Sequence, residues 1–166
     1  MHSWQPSSSL AVLHERAKLL HSIRAFFATK GVLEVETPLL CHTSVTDPFI
    51  ESIPALYQHA TSEPFYLQTS PEYAMKRLLA SGSGSIYQMG KAFRGDEQGR
   101  YHNPEFTLLE WYRVGFNLSA LMDEMDELLQ LVLNSGAAER LSYAEIFQQH
   151  CDLNPHTATL TELQKV

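Results

Sequence analysis

Several features that define common protein classes are scarce in this sequence of 166 residues. It has 2 cysteines, Cys41 and Cys151, which form no CxxC pair, so both are expected to be reduced thiols rather than disulfide partners or zinc ligands. No apolar run approaches the ~18 residues of a membrane-spanning helix. Lys and Arg number 12 against 19 Asp and Glu, a net charge of -7, so the sequence offers no broad cationic surface, and unaided binding of tRNA or DNA is disfavoured.

Signals for export and for several common nucleotide-binding or hydrolase motifs are also missing. The first ten residues contain no basic segment followed by an apolar one, so the expected location is the cytoplasm. The sequence has no Walker A, GxSxG or GxGxxG motif. It has no internal repeat, low-complexity tract or linker, and 44% of its residues are hydrophobic, so its length predicts one globular domain.

A helix and a strand are predicted near the N-terminus. Serines that can act as N-caps precede apolar residues at helical spacing from Leu13 to Phe27, and Gly31 ends the pattern, so we expect a helix of about 20 residues. Val32–Thr37 is rich in residues that favour strands, and Pro38 ends it. The stretch 39–63 is predicted to be irregular.

A second helix and a long hairpin follow. Ser70-Pro71-Glu72 combines a capping hydroxyl, a proline for the first turn and a carboxylate near the positive end of the helix, which Gly82 then ends. Ser85–Arg94 and Glu105–Val114 predict two antiparallel strands. The polar loop 95–104 between them is long, and long loops in compact domains tend to be functional.

The C-terminal part of the chain predicts three helices. Apolar residues recur at helical spacing over 119–134, and the opposite face of this helix is expected to point to solvent. That face carries four acidic residues, Asp123, Glu124, Asp126 and Glu127. Capping boxes that begin at Ser142 and Thr159 each start a further short helix.

Strand alternation brings a carboxylate onto a largely apolar surface. In the second hairpin strand Phe106, Leu108, Glu110 and Tyr112 face the same way. A carboxylate buried without a partner would cost several kcal/mol or become protonated, so Glu110 needs a cation. The residues alone leave two sources open, an internal Arg or Lys or a cationic ligand, and they favour the internal ion pair.

Three potential cations surround the hairpin loop. Arg94 lies at the end of the first strand, and Arg100 and His102 lie within the loop. A guanidinium binds phosphate or carboxylate oxygens in a bidentate manner, so this loop is a candidate anion site, although the residues alone slightly favour a solvated polar loop. No second His, Cys or carboxylate stands at a recognised spacing from His102, so no metal site is predicted.

The two blocks that flank the loop resemble motif 2 of the class II aminoacyl-tRNA synthetases, lysyl branch. They are Phe93-Arg94-Gly95-Asp96-Glu97 and Arg100-Tyr101-His102-Asn103-Pro104-Glu105-Phe106-Thr107-Leu108-Leu109-Glu110-Trp111-Tyr112. Lys30–Pro38 is similar to motif 1, and Thr69-Ser70-Pro71-Glu72 with Lys76-Arg77-Leu78 is similar to the amino-acid-binding helix. The resemblance implies an α+β fold in which part of an antiparallel sheet is flanked by helices.

Within that branch, the chain resembles the short paralogues that attach lysine to elongation factor P. The similarity lies in three segments of this chain: Trp4-Gln5-Pro6, the extended loop, and Leu109-Glu110-Trp111-Tyr112. The resemblance implies an ATP-dependent ligase that activates lysine or β-lysine as an aminoacyl-adenylate and transfers it to a lysine of elongation factor P. It also implies a homodimer, formed through the region similar to motif 1.

The resemblance further implies roles for individual residues. Arg94 would hold the α-phosphate and the substrate carboxylate during catalysis. Glu110 and Tyr112 would receive a substrate ammonium, so the resemblance favours the ligand over the internal ion pair. ATP would be bound by Arg94, Gly95, Asp96, Arg100, His102 and Asn103. The amino acid would be framed by Ser70, Pro71 and Glu72.

The chain departs from the family pattern in two places. Gly95-Asp96 stands where the family usually has Asn-Glu, so the acidic side chain expected at the adenine is one methylene shorter; either Glu97 substitutes for it or ATP binds less tightly. Motif 3, with its γ-phosphate arginine, and the later metal-binding carboxylates have no counterpart. Residues 1–166 are therefore expected to be the N-terminal portion of a single catalytic domain, with the Mg²⁺ ligands in the missing C-terminal half.

Two alternatives stay open at this point. The chain could be a fragment of a lysyl-tRNA synthetase, although the resemblance begins almost at residue 1, leaving no room for an anticodon-binding OB-fold, and the net charge of -7 offers tRNA little attraction. It could also be a truncated, non-catalytic module that binds lysine and ATP.

Overall fold

The computed structural model describes residues 4–56, 64–95 and 99–166, which form helices and short strands around one long hairpin. The elements are, in chain order, α1 (Leu10–Thr29), β1 (Leu33–Glu34), β2 (Leu40–Cys41), β3 (Pro54–Ala55), β4 (Phe65–Leu67), α2 (Glu72–Ala80), β5 (Ile86–Phe93), β6 (Glu105–Tyr112), α3 (Leu118–Leu133), α4 (Tyr143–Cys151) and α5 (Leu160–Leu163). None of the described helices is long and apolar enough to cross a membrane.

Local capping signals determine where the helices begin. The Ser9 hydroxyl accepts a hydrogen bond of 3.3 Å from the Val12 N–H at the start of α1. Both predicted capping boxes are present, at Ser142 before α4 and at Thr159 before α5. Pro71 is the N-cap of α2 and offers no side-chain cap; the hydroxyl of the preceding serine accepts from a first-turn N–H instead, as described below.

The hairpin is the central element of the larger sheet. β5 and β6 pair antiparallel over their whole length, from Ile86 opposite Tyr112 to Phe93 opposite Glu105, as predicted. β1 joins β5 in parallel, so this sheet is mixed, and β1 is shorter than the predicted strand Val32–Thr37. The prediction of an α+β fold is confirmed.

A second, smaller sheet was not expected from the sequence. β2, β4 and β3 form it in that order, all antiparallel, with Leu40 opposite Leu67 and Ala55 opposite Phe65. β2 and β3 lie within the stretch predicted to be irregular. Each has only two residues, and each is stabilised by pairing with β4 rather than by a local pattern, so the sequence contains no period that would reveal them.

The apolar core lies on one face of the hairpin, beneath α1 and α3. Phe27 of α1 is fully buried and stacks on Tyr87 of β5 with ring centroids 4.4 Å apart. Trp111 of β6 lies 5.6 Å from the same Phe27 ring, and Leu128 of α3 closes the cluster. One face of the hairpin is thus covered by two helices.

The prediction that the acidic face of α3 points entirely to solvent was wrong for one residue. Glu124 is 3% exposed. Its carboxylate accepts a hydrogen bond of 3.1 Å from the Trp111 indole N–H and lies 3.2 Å from Nε of Arg113, just beyond β6. Burying this carboxylate is tolerated because it has both a counter-charge and a hydrogen-bond donor.

Candidate active site

A cavity of about 570 Å³ opens on the face of the hairpin that the core leaves free. Its floor includes Leu108 and Glu110 of β6, and Arg94 lies just beyond the end of β5. The first turn of α2 and the segment 41–50 form its walls. Four of the predicted site residues meet here: Ser70, Glu72, Arg94 and Glu110.

Glu110 is held by neutral hydrogen-bond donors. The Tyr112 hydroxyl donates to Oε1 at 2.7 Å, and the Ser70 hydroxyl donates to Oε2 at 2.8 Å. Among the described residues, no Lys or Arg nitrogen forms an ion pair with this carboxylate. The internal ion pair that the residues alone favoured is therefore absent from this part of the chain, and the carboxylate faces a cavity instead.

Tyr112 is a stable donor to this carboxylate. Burial raises the pKa of its phenol well above the usual value, and the hydrogen bond to Glu110 raises the pKa further. The phenol therefore stays protonated at neutral pH and directs its O–H at Glu110. The predicted pairing of these two side chains on one strand face is confirmed.

The start of α2 links this carboxylate to the opposite wall. The Ser70 hydroxyl, which donates to Glu110, also accepts from the Glu72 N–H at 3.1 Å. Glu72 lies in the first helical turn and forms an ion pair with Lys76 one turn later. The hydrogen bond and charge of Glu72 raise the pKa of Lys76, with a smaller contribution from Glu110. Pro71 is buried beside the cavity without lining it.

Arg94 supplies positive charge in the same cavity. Its backbone N–H donates to the Pro104 carbonyl at 2.9 Å and so closes the base of the loop. Its Nε donates to the Thr69 carbonyl at 3.4 Å, and its guanidinium lies 5.2 Å from the centroid of the Phe106 ring. One cavity thus contains an anionic position at Glu110 and a cationic one at Arg94.

The other predicted ATP contacts lie outside this cavity. Of the loop residues that the structure describes, Arg100, His102 and Asn103 are exposed and do not line it. The Gly95 N–H donates to the Glu51 carbonyl at 2.9 Å, and Gly95 does not line the cavity either. Asp96 lies outside the described residues. The structure therefore brings together the predicted amino-acid contacts and Arg94, but not the remaining ATP contacts.

Sequence analysis missed the wall formed by 41–50. The Thr46 hydroxyl lies 2.8 Å from the Tyr73 hydroxyl of α2, within hydrogen-bond distance, and Asp47 accepts from the Phe49 N–H at 2.9 Å, which tightens the segment. Arg77 of α2 also lines the cavity. The polar composition of this stretch predicts a loop, but its position depends on the pairing of β2 with β4, which no local signal reveals.

The described residues offer no ready-made metal site. In the three described ranges, no three His, Cys, Asp or Glu side chains lie close enough together to hold a metal ion. The chemistry derived below depends only on side chains of this chain.

The cavity, the hairpin and the sequence comparisons together define the class of the protein. Residues 3–161 match the model of the family described as tRNA synthetases class II (D, K and N). The chain therefore belongs to this family.

Its curated relatives carry a more specific name. The chain is 53% identical over 166 residues to the elongation factor P–(R)-beta-lysine ligase of Vibrio cholerae, an alignment covering 98% of this chain and 51% of that protein. It is 54% identical to the protein of that name from Pseudoalteromonas translucida and 49% identical to that from Yersinia enterocolitica, with the same shares covered. The chain spans about half the length of these relatives.

Proposed function

We propose that the protein is an ATP-dependent ligase that activates β-lysine or lysine as an aminoacyl-adenylate and transfers it to a lysine of elongation factor P. The names of the relatives support this assignment. The observation that carries it is Glu110, whose carboxylate has two neutral donors and, within the described residues, no counter-cation. A cationic substrate supplies the missing charge.

The anionic part of the cavity selects the amino acid. Glu110, with Tyr112 and Ser70 around it, receives one ammonium group of the substrate. Ser70, Pro71 and Glu72 frame the amino acid at the start of α2. An amino acid with a neutral side chain leaves the Glu110 carboxylate unpaired in a partly buried site, which opposes its binding.

The cationic part of the cavity promotes adenylation. A carboxylate oxygen of the amino acid attacks the α-phosphorus of ATP, the bond from that phosphorus to the oxygen bridging to the β-phosphate breaks, and pyrophosphate leaves. Arg94 binds the substrate carboxylate and the α-phosphate, and its guanidinium stabilises the charge that develops between them. In the second step, an acceptor amine attacks the carbonyl carbon, loses a proton and displaces AMP.

The remaining ATP contacts complete the nucleotide site. Gly95, Asp96, Arg100, His102 and Asn103 are assigned to ATP because they match motif 2. Arg100 is exposed, with its guanidinium 5.1 Å from the Tyr101 ring, and it is assigned to the outer phosphates.

We propose that residues 1–166 are the N-terminal portion of a single class II catalytic domain. The curated relatives are about twice as long, and the residues similar to motifs 1 and 2 lie in the half that this chain covers. The γ-phosphate arginine and the Mg²⁺ ligands are then expected in the other half. A homodimer formed through the region similar to motif 1 is part of the same proposal.

ATP–pyrophosphate exchange by the full-length protein tests the adenylation step. We expect exchange that is stronger with β-lysine than with lysine and that Arg94→Ala abolishes. Arg140→Ala is a matched control, because Arg140 pairs with Asp123 on α3 and does not line the cavity. The second step is tested by the mass increase of purified elongation factor P.

The outcomes separate the proposed ligase from its alternatives. Exchange that is equal or stronger with lysine, together with charging of tRNA, would indicate a lysyl-tRNA synthetase. Binding of lysine and ATP without any exchange would indicate a non-catalytic module and would overturn the ligase proposal.

A further inference from the structure

Asp47 is a cavity-lining carboxylate to which the amino-acid and ATP assignments give no role. It belongs to the segment 41–50 that forms one wall of the cavity, and the residue is exposed. Within the described ranges, no Lys, Arg or His nitrogen forms an ion pair with its carboxylate. Its one side-chain hydrogen bond there comes from the Phe49 N–H to Oδ1, at 2.9 Å. A carboxylate accepts several hydrogen bonds, so Asp47 keeps capacity for a cationic ligand.

The other charged groups of the cavity lining already have a partner or an assigned role. Glu110 is assigned to an ammonium of the amino acid, and Glu72 forms an ion pair within α2. Arg94 is assigned to the substrate carboxylate and the α-phosphate. Arg77 is cationic, so it repels an ammonium. Of the carboxylates that line the cavity in the described part of the chain, only Asp47 has neither an ion pair nor an assigned role.

The position of Asp47 is fixed on both sides. The hydroxyl of its neighbour Thr46 lies 2.8 Å from the hydroxyl of Tyr73, which attaches the segment to α2. Tyr73 lines the same cavity. On the other side, the hydrogen bond from the Phe49 N–H orients the carboxylate. An exposed group that is already held in position loses little conformational freedom when it binds a ligand.

The proposed reaction brings a second cation to this cavity. The acceptor of the second step is a lysine side chain, which carries an ammonium at neutral pH. This side chain belongs to another protein, so it enters the cavity from solvent. An exposed carboxylate on the cavity wall attracts such an ammonium, and opposite charges at the edge of an interface also speed association.

We infer that Asp47 binds the ammonium of the acceptor lysine of elongation factor P. This inference rests on the proposed function. Asp47 contributes to binding of the acceptor alone, and no bond is formed or broken at its carboxylate. The acceptor then has a recognition point separate from the residues assigned to the amino acid and to ATP.

Asp47→Asn tests this inference in the full-length protein. Asparagine keeps an oxygen that can accept from the Phe49 N–H, so the substitution removes only the charge. We expect the KM for elongation factor P to rise about fivefold, as for the loss of one exposed ion pair, while kcat and pyrophosphate exchange stay within about twofold of the wild type. The rise should be smaller at high ionic strength than at low, because salt screens exposed charges.

A control variant and a second acceptor isolate the effect. Asp152→Asn removes the same charge at the C-cap of α4, outside the cavity lining, and should leave all of these values unchanged. Asparagine is tolerated there because it readily adopts the positive φ of 49°. Hydroxylamine, an amine that is largely uncharged at neutral pH, replaces elongation factor P in a separate assay. Hydroxamate formation should be the same for Asp47→Asn and the wild type.

The results that contradict the inference differ from those that contradict the proposed function. An unchanged KM for elongation factor P in Asp47→Asn would refute the inference. A matching loss of pyrophosphate exchange would also refute it, because Asp47 would then serve the amino acid or ATP, and so would a lower kcat with an unchanged KM. The proposed function fails if the wild-type protein shows no exchange, or exchange without modification of elongation factor P.

Discussion

The two faces of the β5–β6 hairpin differ sharply, although alternate residues of the same two strands form them. Tyr87 and Trp111 belong to the face that packs under α1 and α3 in the apolar core. Gln88, Glu110 and Tyr112 belong to the other face, which meets the start of α2 and the cavity. Neighbouring residues of one strand therefore belong either to the apolar core or to the cavity face. Packing of the core face fixes the position of the cavity face.

A carboxylate lies against each face of the hairpin, and the negative charges of the two carboxylates are compensated differently. Glu124, on the core face, has the Arg113 guanidinium and the Trp111 indole N–H as partners. Glu110, on the cavity face, has two hydroxyl donors and, in the described part of the chain, no cation. The first carboxylate is balanced by a counter-charge within the fold, whereas the second has no counter-charge among the described residues.

The largest expected effect comes from neutralising the carboxylate on the cavity face. With the amino acid as the varied substrate, Glu110→Gln should lower kcat/KM in pyrophosphate exchange about a thousandfold, which corresponds to about 4 kcal/mol, because a desolvated ammonium loses its counter-charge. The free energy of unfolding should stay the same or rise slightly, since no Lys or Arg in the described ranges forms an ion pair with Glu110.

The unfolding measurement provides the control for this variant. A loss of stability of 2 kcal/mol or more in Glu110→Gln, measured in urea, would show that the fold itself uses this carboxylate. The contrast between the two faces would then be wrong.

The next largest effect is expected on the core face, where a substitution should lower stability and leave amino-acid binding unchanged. Glu124→Gln leaves the Arg113 guanidinium, whose side chain is 12% exposed, without a counter-charge. We expect the free energy of unfolding to fall by about 3 kcal/mol, while the KM for the amino acid stays within twofold of the wild type. Urea unfolding at pH 7 and exchange kinetics measure the two quantities.

A neighbouring carboxylate on the same helix gives a matched control for Glu124. Glu127 pairs with Lys30 at the surface, so Glu127→Gln should cost less than about 1 kcal/mol. Adding Arg113→Met to Glu124→Gln should restore at least half of the lost stability, because the unpaired charge is removed as well. If Glu124→Gln alone is as stable as the wild type, the buried ion pair between Glu124 and Arg113 contributes little to the free energy of unfolding.

Elements specified by neighbouring residues were predictable from the sequence. The start of α1 after Ser9 and both capping boxes depend on residues within a few positions of one another. Each hairpin strand was predictable from its own residues, although the register between the two strands was not. The meeting of Glu110 and Tyr112 follows from strand alternation alone. β2 and β3 were not predictable, because pairing with β4, a distant segment, defines them.

The parts of the site that depend on distant contacts were not predictable. Ser70 reaches Glu110 across 40 positions of the sequence, and no spacing rule connects them. The position of Gln88 beside Glu110 needs the hairpin register, which the long loop leaves undetermined. The burial of Glu124 depends on Arg113 and Trp111 of another element, whereas the helical pattern around it shows only an acidic face.

The smallest expected effect concerns a tyrosine of the core face and appears in the pH dependence of stability. The Tyr87 hydroxyl donates to Glu34 at 2.8 Å, and burial, together with this hydrogen bond, raises its pKa from 10.0 to about 12. The folded protein therefore keeps this proton at pH values where the unfolded chain has lost it. The resulting stability is fully present below pH 10 and is lost as the pH rises towards 12.

Tyr87→Phe removes this titration and should lower stability at pH 8 by only about 1 kcal/mol, the usual contribution of one hydrogen bond. Between pH 10 and 12, the free energy of unfolding should fall less steeply for the variant than for the wild type, so that the two curves approach each other and then cross. Tyr143→Phe, at an exposed position on α4, should leave the curve unchanged. Parallel curves for Tyr87→Phe and the wild type would show that the Tyr87 phenol titrates alike in the folded and unfolded chains, and that this hydrogen bond does not stabilise the core face.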